Sequence, residues 1–290
     1  MANIGFVGLG NIGKGICKNL IEAGNALTVF DVNESAMERF AGRAVLAKDL
    51  REVCSNSEYI FLSLPNSQVV ENAVDIFIKE GVEHKIIIDT STSYPVSTRQ
   101  LYEKVKANSG NLIDAPLMTG PQEAEEGTLD IVIGGDKEVV DSLSFLFESY
   151  CKSYRYVGGI GNGHLAKLAI NFCGLSEALL FAQLYPVMAK FGFKQEELYD
   201  ILNCETLDNW VFQFYSDKYV KKDYRLDFAL ALGLKDLSYV KRLFEELNIP
   251  GFMLDGALDM CRVALKAQKP GETLDFSYPC QTMYEFAGVD

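Results

Sequence analysis

Short apolar runs alternate with longer segments of helical spacing through the first 160 residues. "NIGFVG" (3–8), "ALTVFD" (26–31), "YIFLSLP" (59–65), "KIIIDTST" (85–92), "NLIDAP" (111–116) and "LDIVIGG" (129–135) read as strands. Residues 11–24, 67–81, 94–110 and 137–150 read as helices. Strands separated by helices of this length predict parallel pairing through right-handed crossovers, a doubly wound α/β sheet. After "YRYVGGIGNG" (154–163) only helical periodicity remains, over 163–191, 195–203, 206–219, about 227–247, 251–267 and 276–287. The expected division is a dinucleotide-binding domain over 1–160 and an all-helical substrate and oligomerisation domain over 161–290. A long helix starting at the junction joins them. No internal repeat or low-complexity tract interrupts the pattern.

Composition narrows the class. The 290 residues are 48% hydrophobic and 23% charged, in the globular range. Forty acidic against 27 basic residues give a net charge of −13. That balance disfavours nucleic acid and anionic membranes as partners, while leaving room for a small basic pocket. Seven cysteines lie scattered without a CxxC pair, so they read as reduced thiols rather than a disulfide framework or zinc site. The opening "ANIGFVGLG" runs directly into a strand with no basic leader segment. No uninterrupted apolar stretch has the length of a membrane span. The expected location is cytoplasmic.

Chemistry enters with "GFVGLGNIGKGICKNL", a G-x-G-x-x-G at Gly8, Gly10 and Gly13 between a strand and a helix. In that context Gly8 permits the tight turn, Gly10 lets backbone approach a pyrophosphate, and Gly13 allows close helix–strand packing. The turn Gly8, Leu9, Gly10, Asn11, Ile12 and Gly13 is therefore the expected cofactor cradle. Asp31, at the end of the second strand, suits an adenosine ribose and repels a 2′-phosphate. This favours NAD, with NADP left open by nearby Asn33 and Arg39. Leu64, Pro65, Ser91 and Thr92 sit at other strand ends, where cofactor contact and helix capping are equally good readings.

Further on, Lys167 and Asn171 in "GNGHLAKLAIN" fall four apart and share a helix face. Alone, such a lysine reads as snorkelling from an apolar helix. His164 reads as a first-turn surface or hydrogen-bonded histidine, and His84 as part of a polar turn. Neither has a partner at metal-ligand spacing, so no metal is expected. The run "EAEEG" (123–127) reads as a solvated turn or first helical turn.

In this order and spacing, the stretches "GFVGLGNIGKGICKNL", "IDTSTSYP", "DAPLMTGPQEAEEGTLDIVIGG", "GIGNGHLAKLAIN" and "LGLKDL" resemble the β-hydroxyacid dehydrogenase family. The resemblance covers nearly the whole chain. It implies an N-terminal Rossmann domain, an all-α C-terminal domain and a long helix between them. It also implies that Lys167, in the family's GxGxxxxxK motif, is catalytic and that Asn171 orients substrate. Thr92 matches the threonine of the D-x-S-T stretch, and Lys235 matches the lysine of K-D-L beside the cofactor.

Residue chemistry agrees with that assignment. Hydride reduction of an aldehyde places negative charge on oxygen, which an ammonium stabilises and protonates; the reverse step needs a neutral amine as base. One stretch departs from the family. Its usual D-A-P-V-S-G-G, whose serine and glycine amides hold the substrate carboxylate, reads Asp114-Ala115-Pro116-Leu117-Met118-Thr119-Gly120, followed by Pro121. Met118 donates no side-chain hydrogen bond and Pro121 lacks an amide hydrogen. Met118, Thr119 and Gly120 thus form a remodelled substrate loop.

The expected function is an NAD(P)-dependent interconversion of a small β-hydroxy acid, or similar anionic alcohol, and its semialdehyde, by a homodimer or homotetramer. The alternatives are a reductase of a sulfonate-bearing semialdehyde and a nucleotide-binding regulatory protein without turnover.

Overall fold

A computed structural model describes residues 1–289, which divide into two compact units, Met1–Lys167 and the chain from Leu168 onward. In the first unit the chain runs β1 (Asn3–Val7), α1 (Gly13–Glu22), β2 (Ala26–Phe30), α2 (Glu34–Glu38), β3 (Val45–Leu46) and α3 (Leu50–Ser55). It continues through β4 (Tyr59–Leu62), α4 (Ser67–Glu80), β5 (Ile86–Asp89), α5 (Pro95–Ala107) and β6 (Asn111–Asp114). These strands form one parallel sheet in the order β3-β2-β1-β4-β5-β6. Successive side chains enter opposite layers. Phe6, Phe61 and Ile88 join one core, and Val7, Ile60, Leu62 and Ile87 the other. Burial on both faces is why five of these strands read as apolar runs; β3, whose Val45 and Leu46 are exposed, did not.

The sixth expected strand behaves differently. After α6 (Pro121–Glu126), β7 (Leu129–Ile133) leaves the main sheet and, beyond α7 (Lys137–Ser142) and α8 (Ser144–Phe147), pairs in parallel with β8 (Cys151–Tyr156). Its links to the end of β6 are two antiparallel bridges, Asp114 to Gly134 and Leu117 to Ile131. β8 was not expected, because "CKSYRY" is largely exposed and has no apolar run. The short α2 and α3 also fall outside the periodicity; their signal is capping. Asn33 Oδ1 accepts from the Ser35 amide at 3.1 Å. Asp49 Oδ1 accepts from the Glu52 amide while Glu52 Oε2 accepts from the Lys48 amide, both at 2.9 Å. The helix expected over 137–150 is two helices broken at Leu143.

α9 (Asn162–Lys190) opens in the first unit and continues into the second. It is followed by α10 (Gln195–Leu202), α11 (Trp210–Lys221), α12 (Leu230–Glu246), α13 (Phe252–Leu265) and α14 (Tyr278–Ala287). α11 begins at Trp210 rather than 206 because the Asn209 side chain caps it, accepting from the Phe212 amide at 3.0 Å. The core of this unit is aromatic: Phe181, Tyr185, Phe212, Tyr219 and Phe276 are buried. Within it, the Asp275 carboxylate gathers the amides of Asp227, Phe228 and Ser277, the Ser277 hydroxyl and the Lys218 ammonium. By length and mean hydropathy (1.5) α9 would also pass for a membrane span, a weak likeness that core helices share.

Candidate active site

β1 pairs with β2 on one side and β4 on the other, so the strand order reverses direction at β1. In open parallel sheets the crevice beyond the strand ends at such a point binds ligands. The Gly8–Gly13 turn lies there, and its three glycines have different reasons. Gly8 has φ +96°, and a β-carbon on it would lie 2.2 Å from the Ser63 carbonyl oxygen. One on Gly13 would lie 2.0 Å from the Gly8 carbonyl oxygen. Both are required by the protein's own packing. A β-carbon on Gly10 would meet no protein atom within 4 Å. The fold does not need glycine there, whereas close backbone approach to a pyrophosphate does.

Asp31, just past β2, braces this turn. Its Oδ2 accepts from the Leu9 amide at 2.7 Å and its Oδ1 from the Asn33 amide at 2.8 Å. Asn33 is occupied capping α2, and Arg39 is an exposed residue at that helix's far end. Leu64 and Pro65 follow β4, and Ser91 and Thr92 follow β5. The two loops are tied: Ser91 is buried and its hydroxyl accepts from the Leu64 amide at 2.9 Å. Thr92 is partly exposed beside it. The structure thus separates two residues with equal claims in the sequence, giving Ser91 to loop bracing.

Beyond β6 comes the remodelled loop. The Met118 amide donates to the Asp130 carbonyl at 2.8 Å, and Thr119 Oγ1 accepts from the Asp130 amide at 3.2 Å. Gly120's amide donates to Glu123 Oε2 at 3.0 Å. Of the two readings of the acidic run, a solvated turn or a first helical turn, the structure has the second: the run lies in the six-residue helix α6, with Glu123 capping it. Amides available for an acid group are fewer here than the spacing of the motif suggests.

Lys167 and Asn171 fall one turn apart on α9, and both are half-buried. In the second unit, Asn171 Nδ2 donates to Asp236 Oδ2 at 2.7 Å. Asp236 is 3% exposed, and its Oδ1 lies 3.1 Å from Lys235 Nζ. An ionised carboxylate only accepts, so the amide nitrogen of Asn171 is fixed toward Asp236. Asp236 therefore orients Asn171 and neutralises Lys235, a part the sequence reading left unassigned. Asp114 was also missed; it is wholly buried at the end of β6, where it accepts from the Gly161 and His164 amides at 2.8 and 2.7 Å and starts α9. A carboxylate at the end of a buried strand was the available signal.

Residues 3–158 match the family described as the NAD binding domain of 6-phosphogluconate dehydrogenase, and residues 161–281 that described as NAD-binding of NADP-dependent 3-hydroxyisobutyrate dehydrogenase. The "3-hydroxyisobutyrate dehydrogenase, mitochondrial" of Drosophila melanogaster is 33% identical over 86% of the chain and 79% of its own length. The 2-hydroxy-3-oxopropionate reductase of Escherichia coli is 31% identical over 85% and 86%. Among solved structures, 3-hydroxyisobutyrate dehydrogenase of Mycobacterium tuberculosis with L-serine shares the fold, with a TM-score of 0.87, 22% identity, and 98% and 99% coverage.

Proposed function

From the premise that the chain belongs to the β-hydroxyacid dehydrogenase family and is an NAD(P)-dependent oxidoreductase acting on CH–OH groups, we propose that it interconverts a small β-hydroxy acid and its semialdehyde with Lys167 as general acid and base. The observation that carries this is the pair Lys167 and Asn171, one turn apart on α9, with Asn171 held by buried Asp236.

The cofactor, when bound, supplies or accepts the hydride. Gly8, Leu9, Gly10, Asn11, Ile12 and Gly13 offer it their backbone, Asp31 the ribose acceptor, and Leu64, Pro65, Thr92 and Lys235 further contacts. The bracing of the turn by Asp31 supports NAD over NADP, because a 2′-phosphate would meet that carboxylate. In reduction Lys167 holds its proton at the carbonyl oxygen as negative charge develops and delivers it to form the alcohol. In oxidation it accepts the hydroxyl proton. Asn171 presents its amide oxygen to the substrate hydroxyl, since its nitrogen is committed to Asp236. In the Met118–Gly120 loop the Thr119 hydroxyl, which keeps its own hydrogen to donate, meets the acid group, because the Met118 and Gly120 amides are engaged by Asp130 and Glu123.

The same reading holds the enzyme to be a cytoplasmic homodimer or homotetramer. All seven cysteines are free, which supports a reducing compartment. Ile170, Leu180 and Val187 leave apolar area exposed along α9, which supports association. Light scattering should then give two or four times 32.2 kDa.

The function is tested by following NADH and NADPH oxidation with semialdehydes bearing carboxylate, sulfonate or phosphonate groups. Turnover of a carboxylate-bearing compound is expected. If no carbonyl compound oxidises either cofactor, the reading fails and a nucleotide-responsive binding protein takes its place.

A further inference from the structure

We infer that His164 is a positioning residue, whose imidazole locks the Ser91–Thr92 loop to the first turn of the helix that carries Lys167. The inference rests on the proposed role of Lys167 and deepens it.

The ring is fully buried. Nε2 lies 3.1 Å from the Ser91 carbonyl oxygen. A carbonyl only accepts, so this nitrogen carries a hydrogen and donates it. Nδ1 lies 2.9 Å from the Thr98 hydroxyl of α5, which also reaches the Tyr94 carbonyl at 3.1 Å. The histidine's own amide is held by Asp114 Oδ2 at 2.7 Å. One residue thus joins the end of β6, the loop after β5, the first turns of α5 and the start of α9. Ser91 in turn receives the Leu64 amide, which brings in the loop after β4. Three residues further along α9 stands Lys167.

The two neighbouring carboxylates are held by other groups. Those of Asp89 and Asp114 lie 3.7 and 3.8 Å from the ring. Asp89 is already satisfied by the Ser91 amide and the Ser93 hydroxyl, both at 2.9 Å. Asp114 is satisfied by the amides of Gly161 and of residue 164 itself, which any side chain leaves in place. A role confined to filling space would not need a donor aimed at one particular carbonyl. The Ser91 bond instead sets where the loop bearing Thr92 stands relative to the turn that leads into Lys167. A misplacement of about 1 Å between reacting groups costs on the order of 100-fold in rate.

The two ring nitrogens can be imitated separately. In His164→Gln the terminal amide reaches the place of Nε2 and keeps the donor to Ser91. In His164→Asn the shorter amide reaches only the place of Nδ1. Thr98→Val removes the Nδ1 partner and leaves Ser91 bonded. Each variant is assayed for kcat, KM, NADH affinity by fluorescence, and melting temperature, on a substrate the wild type turns over. The expected result is kcat within about threefold of wild type for His164→Gln and Thr98→Val, and a fall of about 10- to 100-fold for His164→Asn. NADH affinity should stay within about twofold in all three, because the glycine turn is untouched. Wild-type kcat in His164→Asn, or equal losses in the two histidine variants, would overturn the inference. So would a loss of more than about tenfold in Thr98→Val, a variant that leaves the histidine in place and so tests the inference even if His164→Asn folds poorly. Absence of turnover in the wild type with every carbonyl compound would instead sink the reductase reading itself.

Discussion

Replacing Gly10 and Gly13 by alanine one at a time should separate binding from folding within a single turn. On Gly13 the new β-carbon would sit 2.0 Å from the Gly8 carbonyl oxygen and 3.2 Å from the Phe6 ring. Carbon atoms prefer separations of about 3.5–4.0 Å, so α1 must move off the sheet. Overpacking of that kind costs about 1–3 kcal/mol. At about 2–4 °C per kcal/mol, the melting temperature should fall by roughly 2–12 °C. On Gly10 the β-carbon would meet no protein atom within 4 Å, so stability should hold or rise by up to about 1 kcal/mol through the unfolded chain. A bound pyrophosphate, however, would be pushed away from the backbone. Losing one hydrogen bond to a charged group, about 1.5–3 kcal/mol, weakens NADH roughly 10- to 150-fold. Thermal melts and fluorescence titration with NADH read the two effects. If Gly10→Ala bound NADH as the wild type does, no phosphate approaches that backbone and the assignment of the turn is wrong. An unchanged melting temperature for Gly13→Ala would refute the packing argument.

Asp31→Asn should shift the ratio of NADH to NADPH affinity toward NADPH by about tenfold, through loss of the charge that opposes a 2′-phosphate; an unchanged ratio would place cofactor selection elsewhere. Burial alone would raise the Asp275 carboxyl, but hydrogen bonds from Ser277 and from the amides of Phe228 and Asp227 outweigh it and hold it below the ordinary carboxylate value. Its stabilising contribution is therefore complete above about pH 4 and is lost as pH falls through the lowered folded value. Asp275→Asn should lower the melting temperature at pH 7 and flatten its acid dependence below pH 4, as followed by circular dichroism. Of the seven thiols, Cys173 and Cys204 are exposed, while burial pushes Cys54 up to about 11 and Cys261 and Cys280 up to about 12. A thiol reagent at pH 8 should titrate at most two groups quickly in the native protein and seven after unfolding; more than two fast groups would contradict the packing.

The parallel sheet was legible because its strands are buried on both faces and the helices between them have regular spacing. Elements held by local capping or pairing escaped. α2 and α3 depend on Asn33 and Asp49 rather than on a long apolar stripe, and exposed β8 depends on its partner β7. The glycine turn was readable because its spacing encodes a backbone shape. Asp114 and Asp236 were not, and of His164 only a hydrogen-bonded ring was, without its partners, because each works through buried hydrogen bonds to residues 65 or more positions away or to amides that no side-chain pattern records. In the Met118–Gly120 loop the sequence showed an altered motif, while the engagement of the Gly120 amide by Glu123 is a feature of the folded turn.

The central claim is that Lys167 moves the proton at the substrate oxygen. Its most direct measurement is kcat for Lys167→Ala beside NADH affinity, on a semialdehyde the wild type reduces. A fall in kcat of about 100- to 10,000-fold with NADH affinity within about twofold is the predicted result. Turnover near the wild-type value would contradict it.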